Sequence, residues 1–121
     1  MERSKIAFVS VARSDYSIIK PVLQEFKRSR EVEVSIILSG MHLSPEFGST
    51  ENDVIRDGWM PEARIEHLIS SDTPCGVAKS MGLGIASFAD FFSINKPDIL
   101  FLTGDRSEML AAGLAAVPFG V

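Results

Sequence analysis

The chain has 121 residues, 45% of them hydrophobic and 23% charged, with a formal net charge of −4. That length suits one domain of ordinary size, and the acidic balance excludes nucleic-acid binding through a basic face, which phosphate contacts require. A single cysteine, Cys75, excludes a disulfide framework and a cysteine-rich metal site.

Met1-Glu2-Arg3-Ser4-Lys5 leads straight into a strand-like run, with no apolar leader of the signal-peptide kind. No apolar run reaches the roughly 18–20 residues of a membrane span, so a cytoplasmic protein without membrane contact is expected. Lys5 to Val11 reads as a strand buried on both faces, because Ile6, Ala7, Phe8 and Val9 are continuously apolar. Ala12 to Tyr16 is a turn in which Ser14 or Asp15 can cap a helix. The helix carries Ile18, Ile19, Val22, Leu23 and Phe26 on one face, and Pro21 suits it only within the first turn. Val32 to Ser39 is a second strand, closed by Gly40, which completes a right-handed βαβ unit.

Met41 to Gly48 forms the next loop, and Ser49 to Asp57 a short helix with Thr50 as its cap. After a turn at Pro61, Ala63 to Leu68 is a third strand, and Ser70 to Gly76 a loop rich in helix breakers. Val77 to Ile94 is a long helix with Met81, Ile85, Phe88, Ala89 and Phe92 inward, weakened at Gly82 and Gly84. Ile99 to Thr103 is a fourth strand and Glu108 to Ala116 the helix after it.

Alternating strands and helices predict an α/β fold, a Rossmann-like doubly wound parallel sheet. Ligands of such sheets sit outside the C-terminal strand ends. Three polar clusters fall there: Arg13, Ser14 and Asp15 after strand one, His42 after strand two, and Asp105, Arg106 and Glu108 after strand four.

Each cluster has two readings. Arg13 offers a fork to a diphosphate beside a helix N-terminus, or Ser14 and Asp15 merely cap the helix while Arg13 is solvated. The first turn lacks the GxGxxG and P-loop patterns, so no dinucleotide or nucleoside triphosphate site follows. His42 is a proton carrier if it lies in a site, and a structural residue otherwise. His67 is expected at the surface. Asp105 follows Gly104 at the end of a buried strand, where partial desolvation would suit a carboxyl to acid–base work. Alternatively Asp105 or Ser107 is an N-cap, with Glu108 completing a box-like helix start. No metal-ligand cluster and no cofactor are expected.

The stretches "ARSDYSIIKPVL", "SGMHLSPEFGST", "IEHLISSDTPCGVAKSMGLGIASFADFF" and "KPDILFLTGDRSEMLAAGLAA" together resemble the hydrolysing UDP-N-acetylglucosamine 2-epimerases of sialic-acid and related sugar biosynthesis. The resemblance covers nearly the whole chain, and "GMHLSPEFG" and "TGDRSEML" carry it most specifically. It implies a GT-B architecture of two Rossmann-like domains and cleavage of a UDP-sugar to UDP and N-acetylmannosamine. It implies that residues 1–121 are an incomplete N-terminal domain, inactive alone, with the nucleotide-binding domain and a second essential acid outside it. An apolar sheet edge and a homo-oligomer, with the Val77–Ile94 helix as a candidate interface, are further expectations. Carried over residue by residue, Arg13 contacts the diphosphate, Ser14 and Asp15 shape the turn, and His42 faces the sugar. Asp105 is the acid–base group near C2, Arg106 stands beside it, and Glu108 is a second catalytic candidate.

Three alternatives stand beside this reading. One is a diacetamido-sugar nucleotide as substrate. A second is a non-catalytic assembly module with the same fold. A receiver-like domain fits less well, since Arg13-Ser14-Asp15 stands where an acidic pair is needed.

Overall fold

A computed structural model of the chain describes residues 3–44, 50–66 and 72–121. His67, the end of the expected third strand at Leu68, Ser49, the 45–48 part of the second loop, and Ser70 and Ser71 lie outside these residues. The elements in chain order are β1 (Ser4–Ser10), α1 (Arg13–Arg28), β2 (Val32–Ser39), a 3-10 turn (Gly40–Leu43), α2 (Glu51–Arg56), β3 (Ala63–Ile65), α3 (Pro74–Ile94), β4 (Ile99–Phe101) and α4 (Ser107–Ala116), with a closing 3-10 turn (Val117–Phe119).

The strands form one four-stranded parallel sheet in the order β3-β2-β1-β4. Ser4 pairs with Val32, and the register runs without a bulge to Ser10 opposite Leu38. Because side chains alternate across a strand, Ile6 and Phe8 of β1 join Ile36 and Leu38 of β2 against Tyr16, Ile19 and Leu23 of α1 and Val54 of α2. Ala7 and Val9, with Ile37, face Phe88 and Phe92 of α3 and Met109, Ala112 and Ala115 of α4. Both faces of β1 and β2 are therefore covered, which explains their unbroken apolar runs. Each fully buried large apolar side chain contributes about 1.5–3 kcal/mol relative to exposure.

Local details depart from the sequence expectations for identifiable reasons. The buried apolar stripe of α1 is Tyr16, Ile19 and Leu23, with Phe26 half-buried beside it, whereas Ile18 is 71% and Val22 38% exposed. A flat sheet accepts one narrow helix face, and Ile18 and Val22 lie too far round it. Pro21 sits inside α1 rather than in its first turn. It and Ser17 are exposed, so water can reach the carbonyl that Pro21 leaves without an amide partner. Neither Ser14 nor Asp15 is the N-cap of α1. Ala12 holds that position, and Asp15, one turn in, returns its carboxylate to the backbone N–H groups that precede the helix.

Helix α3 begins at Pro74, ahead of the expected Val77, because Thr73 caps it by accepting from the Gly76 amide at 3.0 Å and proline suits the first helical position. Its buried stripe is Gly76, Ser80, Gly84, Phe88 and Phe92. Met81, Ile85 and Ala89, expected inside, are only half-buried. Small residues occupy the first half of that stripe and aromatic residues the second, where Phe88 and Phe92 share a core with Met109, Ala112 and Ala115 of α4.

By length and composition α3 could cross a membrane, with 21 residues and a mean hydropathy of 1.2 in its most apolar window, contrary to the expectation that no run approaches that limit. Its place as the crossover from β3 to β4, with Phe88 and Phe92 in the core, accounts for that composition. β4 ends the strand order on one side, and Ile99 there is 50% exposed while Leu100 and Phe101 pack into the two cores.

Candidate active site

The chain winds from β1 outward to β3, then returns to place β4 on the other side of β1. Right-handed crossovers put α1 and α2 on one face and α3 and α4 on the other. The direction reverses between β1 and β4, and the crevice at such a switch point is where open parallel sheets hold ligands. The turns after β1, β2 and β4 converge on that edge. A cavity of about 230 Å³ lined by Lys5, Glu33, Ser35 and Phe91 lies elsewhere, toward the opposite strand ends.

At the end of β1, Asp15 Oδ2 accepts from the amides of Val11 (3.0 Å) and Ala12 (2.9 Å), and Oδ1 accepts from Ser10 Oγ (2.5 Å). The carboxylate is 9% exposed at a helix N-terminus, where the helix dipole also favours its charge. Ser10 Oγ also lies 2.7 Å from His42 Nε2, and His42 Nδ1 lies 2.9 Å from Thr50 Oγ1. The one Ser10 proton goes to Asp15, so His42 donates from Nε2, and its bare Nδ1 accepts from Thr50. His42 is fully buried. Burial pushes its pKa below the ordinary imidazole value, against the Asp15 charge, a backbone hydrogen bond at Thr50 and the charges of Asp53 and Glu51. The ring is therefore neutral at pH 7 and both its nitrogens are engaged. Thr50, expected to cap α2, makes no capping bond, because its hydroxyl serves His42.

Helix α2 is tied to α1 at its surface. Arg13 Nε pairs with Asp53 at 2.8 Å while its side chain stays 67% exposed. Tyr16 donates to Asp57 at 2.6 Å and Lys20 pairs with the same oxygen at 3.0 Å. The Tyr16 bond and then the Lys20 bond hold the Asp57 carboxyl below the usual range, and burial with that acidic neighbour pushes the Tyr16 phenol up. Ser14 is exposed and makes no side-chain hydrogen bond among the described residues.

The end of β4 is built differently. Gly104 adopts φ +86°, which only glycine enters without strain, and turns the chain out of the strand. Asp105 is exposed, not desolvated as the sequence suggests, and its side chain has no hydrogen bond or ion pair among the described residues. Neither Asp105 nor Ser107 caps α4. Arg106 occupies that position, with its Nε 2.9 Å from Glu108 Oε2, and Ser107 Oγ donates to Glu108 Oε1 at 2.9 Å. Glu108 is 6% exposed. Burial alone would raise its pKa, but the bonds from Arg106 and Ser107 and the Arg106 charge outweigh it and hold the carboxyl below the usual range. A Cβ on Gly40 (φ +59°) would lie 2.9 Å from Glu108 Oε2, so the turn after β2 closes directly over this carboxylate.

The structure thus joins Asp15 to His42 through Ser10, and Arg106 to Glu108, and it attaches Arg13 to α2. Ser10, Thr50 and Asp53 are contributors that the sequence reading missed. Only Ser10 left a signal, as a polar residue on the same strand face as Ile6 and Phe8. No group of three or more His, Cys, Asp or Glu side chains able to hold a metal ion occurs among the described residues.

Residues 24–121 match the family described as UDP-N-acetylglucosamine 2-epimerase. The chain belongs to the UDP-N-acetylglucosamine 2-epimerase family. The UDP-N,N'-diacetylbacillosamine 2-epimerase (hydrolyzing) of Legionella pneumophila is 32% identical over 97% of this chain and 31% of its own length. The GDP/UDP-N,N'-diacetylbacillosamine 2-epimerase (hydrolyzing) of Campylobacter jejuni is 33% identical over 92% of this chain and 29% of its own. The UDP-N-acetylglucosamine 2-epimerase of Neisseria meningitidis is 26% identical over 88% of this chain. The chain therefore spans about three-tenths of the length of these relatives. The crystal structure of UDP-GlcNAc 2-epimerase from Neisseria meningitidis bound to UDP-GlcNAc superposes with a TM-score of 0.77 at 18% identity, over 96% of this chain and 30% of that one. At that identity the likeness establishes the fold.

Proposed function

We propose that this chain supplies the first half of the active site of a hydrolysing UDP-sugar 2-epimerase and forms part of its N-terminal Rossmann-like domain in a GT-B architecture. The observation that carries the reading is the exposed Asp105 carboxylate at the β1–β4 switch point, on the same turn as Arg106 and on the strand-end edge that also carries Arg13. Loss of UDP from an N-acetyl sugar requires a base at C2 and cations at the departing diphosphate. Asp105 is the C2 acid–base group. Arg13, on the first turn of α1, and Arg106 are the anion-binding side chains, aided by the N-terminal amides of α1. Asp15 and Ser14 shape the turn, and His42 sets the loop that faces the sugar. Glu108 works through Arg106, which its buried carboxylate orients. Elimination to a glycal and addition of water moves protons on both faces of the sugar, so a second acid comes from beyond these residues. The greater length of the relatives supports that reading, and the 121-residue chain alone is expected to be inactive.

The two relatives at 32% and 33% identity, both named for diacetylbacillosamine, favour a UDP-diacetamido sugar as substrate. UDP-N-acetylglucosamine, giving N-acetylmannosamine for sialic-acid-type sugars, is the second reading, supported by a relative at 26%. A cytoplasmic location fits a nucleotide-sugar substrate. Exposed Val77, Leu83 and Ile94 on α3 support a homo-oligomer through that helix.

The test is UDP release by the protein as encoded, offered each sugar nucleotide separately. Turnover of the diacetamido substrate with a higher kcat/KM supports the first reading, and the reverse ranking selects the second. Release from neither overturns the epimerase assignment.

A further inference from the structure

The side chains of β4 continue to alternate past its last paired residue. Phe101 stacks on Phe8 with ring centroids 4.5 Å apart, on the α1 face of the sheet, and Leu102 packs into the core on the opposite face. Thr103 therefore returns to the α1 face. Extending the register from Ile6–Ile99 and Phe8–Phe101 sets it beside Ser10. Ser10 gives its one proton to Asp15 and accepts from His42. Thr103 bonds to neither Ser10 nor any other described residue: its Oγ1 is the one buried side-chain nitrogen or oxygen among them without a hydrogen-bond partner. Buried hydroxyls are nearly always bonded, so one that is not calls for an explanation.

The explanation lies two residues along. Asp105 has no side-chain partner either, and only Gly104, at φ +86°, separates the two. A buried hydroxyl without a partner and an exposed carboxylate without a protein partner flank a glycine whose backbone can turn without a Cβ penalty. We infer that Thr103 is a positioning residue for Asp105: when ligand fills the crevice, the Gly104 turn closes and the Thr103 hydroxyl donates to the Asp105 carboxylate, fixing its direction toward the sugar. This inference rests on the epimerase reading above.

The test compares Thr103→Val and Thr103→Ser with wild type, in the protein as encoded. Valine keeps the shape and removes the hydroxyl. Because that hydroxyl is unbonded in the resting fold, T103V is expected to melt no lower than wild type. Its kcat for UDP release should fall about ten- to a hundredfold, the effect of losing a hydrogen bond to a charged group, with KM nearly unchanged. T103S should restore most of kcat. A lowered melting temperature in T103V would show the hydroxyl already bonded in the resting fold and overturn the inference. So would an unchanged kcat, or failure of serine to rescue, in an active wild-type background. A wild-type protein that releases UDP from no UDP-sugar removes the functional reading itself, and this inference with it.

Discussion

The two ends of the ligand edge use charge in opposite ways. Where β1 and β2 end, Asp15, Ser10, His42 and Thr50 form a closed chain of hydrogen bonds, all but Thr50 buried. Where β4 ends, Asp105 projects into solvent with no partner among the described residues. A carboxylate that accepts several hydrogen bonds organises the backbone around it and has little capacity left for a ligand. A carboxylate left open costs the fold little and keeps its capacity for chemistry. Position in a polar cluster therefore does not distinguish a satisfied carboxylate from an open one; hydrogen-bond partnership does.

That contrast can be broken most sharply at its two acids. Asp105→Asn should lower kcat for UDP release by about 10²- to 10⁴-fold, the usual range for a general acid–base group. Its unfolding free energy should stay within about 0.5 kcal/mol of wild type, as for an exposed substitution. A large stability loss would mean that Asp105 belongs to the scaffold. Asp15→Ala should behave in the opposite sense. It strands the Val11 and Ala12 amides and the Ser10 hydroxyl, and a loss of about 2–4 kcal/mol in urea unfolding is expected. An unaffected midpoint would show that the network contributes nothing to folding.

Gly40→Ala sharpens the comparison from the side of Glu108. It forces a Cβ into a left-handed position, about 1–2 kcal/mol for an L-residue, and against Glu108 Oε2 and the Val11 carbonyl. A total near 2–3 kcal/mol is expected from thermal unfolding.

The pH dependence follows from the same network. The pKa of His42 is lower in the folded state than the ordinary imidazole value of 6.5, so the unfolded chain takes up the proton first. Stability should therefore be full above about pH 6.5 and decline as pH falls below it, toward the lower folded pKa. His42→Gln should flatten that slope. Asp57 and Glu108 are lowered too, to folded values below 3.8 and 4.5, which for acids stabilises the fold. Their contribution is present above those values and is lost as pH falls through the folded ones. The smallest effect belongs to Asp53→Asn. Its ion pair with the exposed Arg13 is worth about 0.2–1 kcal/mol, so urea unfolding should barely move.

The fold was largely legible in the sequence because buried parallel strands write continuous apolar runs. Val32 to Ser39 was read to the residue, and the βαβ order followed from alternation. Helix starts were read less well. Local pattern places Thr73-Pro74 in a loop and offers Ser14, Asp15 and Thr50 as caps, whereas Thr73 caps α3 and the other three side chains serve other partners or none. Capping depends on a hydroxyl or carboxylate choosing among competing donors and acceptors, and that choice is made in three dimensions. The candidate site was legible as a list of residues but not as roles. Arg13, His42, Asp105 and Glu108 were all marked, yet nothing in their spacing distinguishes the enclosed His42 and Glu108 from the open Asp105.

What the sequence determined by itself is the pattern of local preference: strands where apolar residues run on, turns where Gly40 and Gly104 permit positive φ, and polar groups at the strand ends. Only the tertiary structure decided which of those polar groups are occupied. Ser10 meets His42 across a separation of 32 residues and Arg13 meets Asp53 across 40. Such pairings depend on strand order and crossover direction, which bring distant turns to one edge. Hydrogen-bond partnership is a short-range interaction between groups far apart in the chain, so it is fixed by the fold and invisible to local pattern.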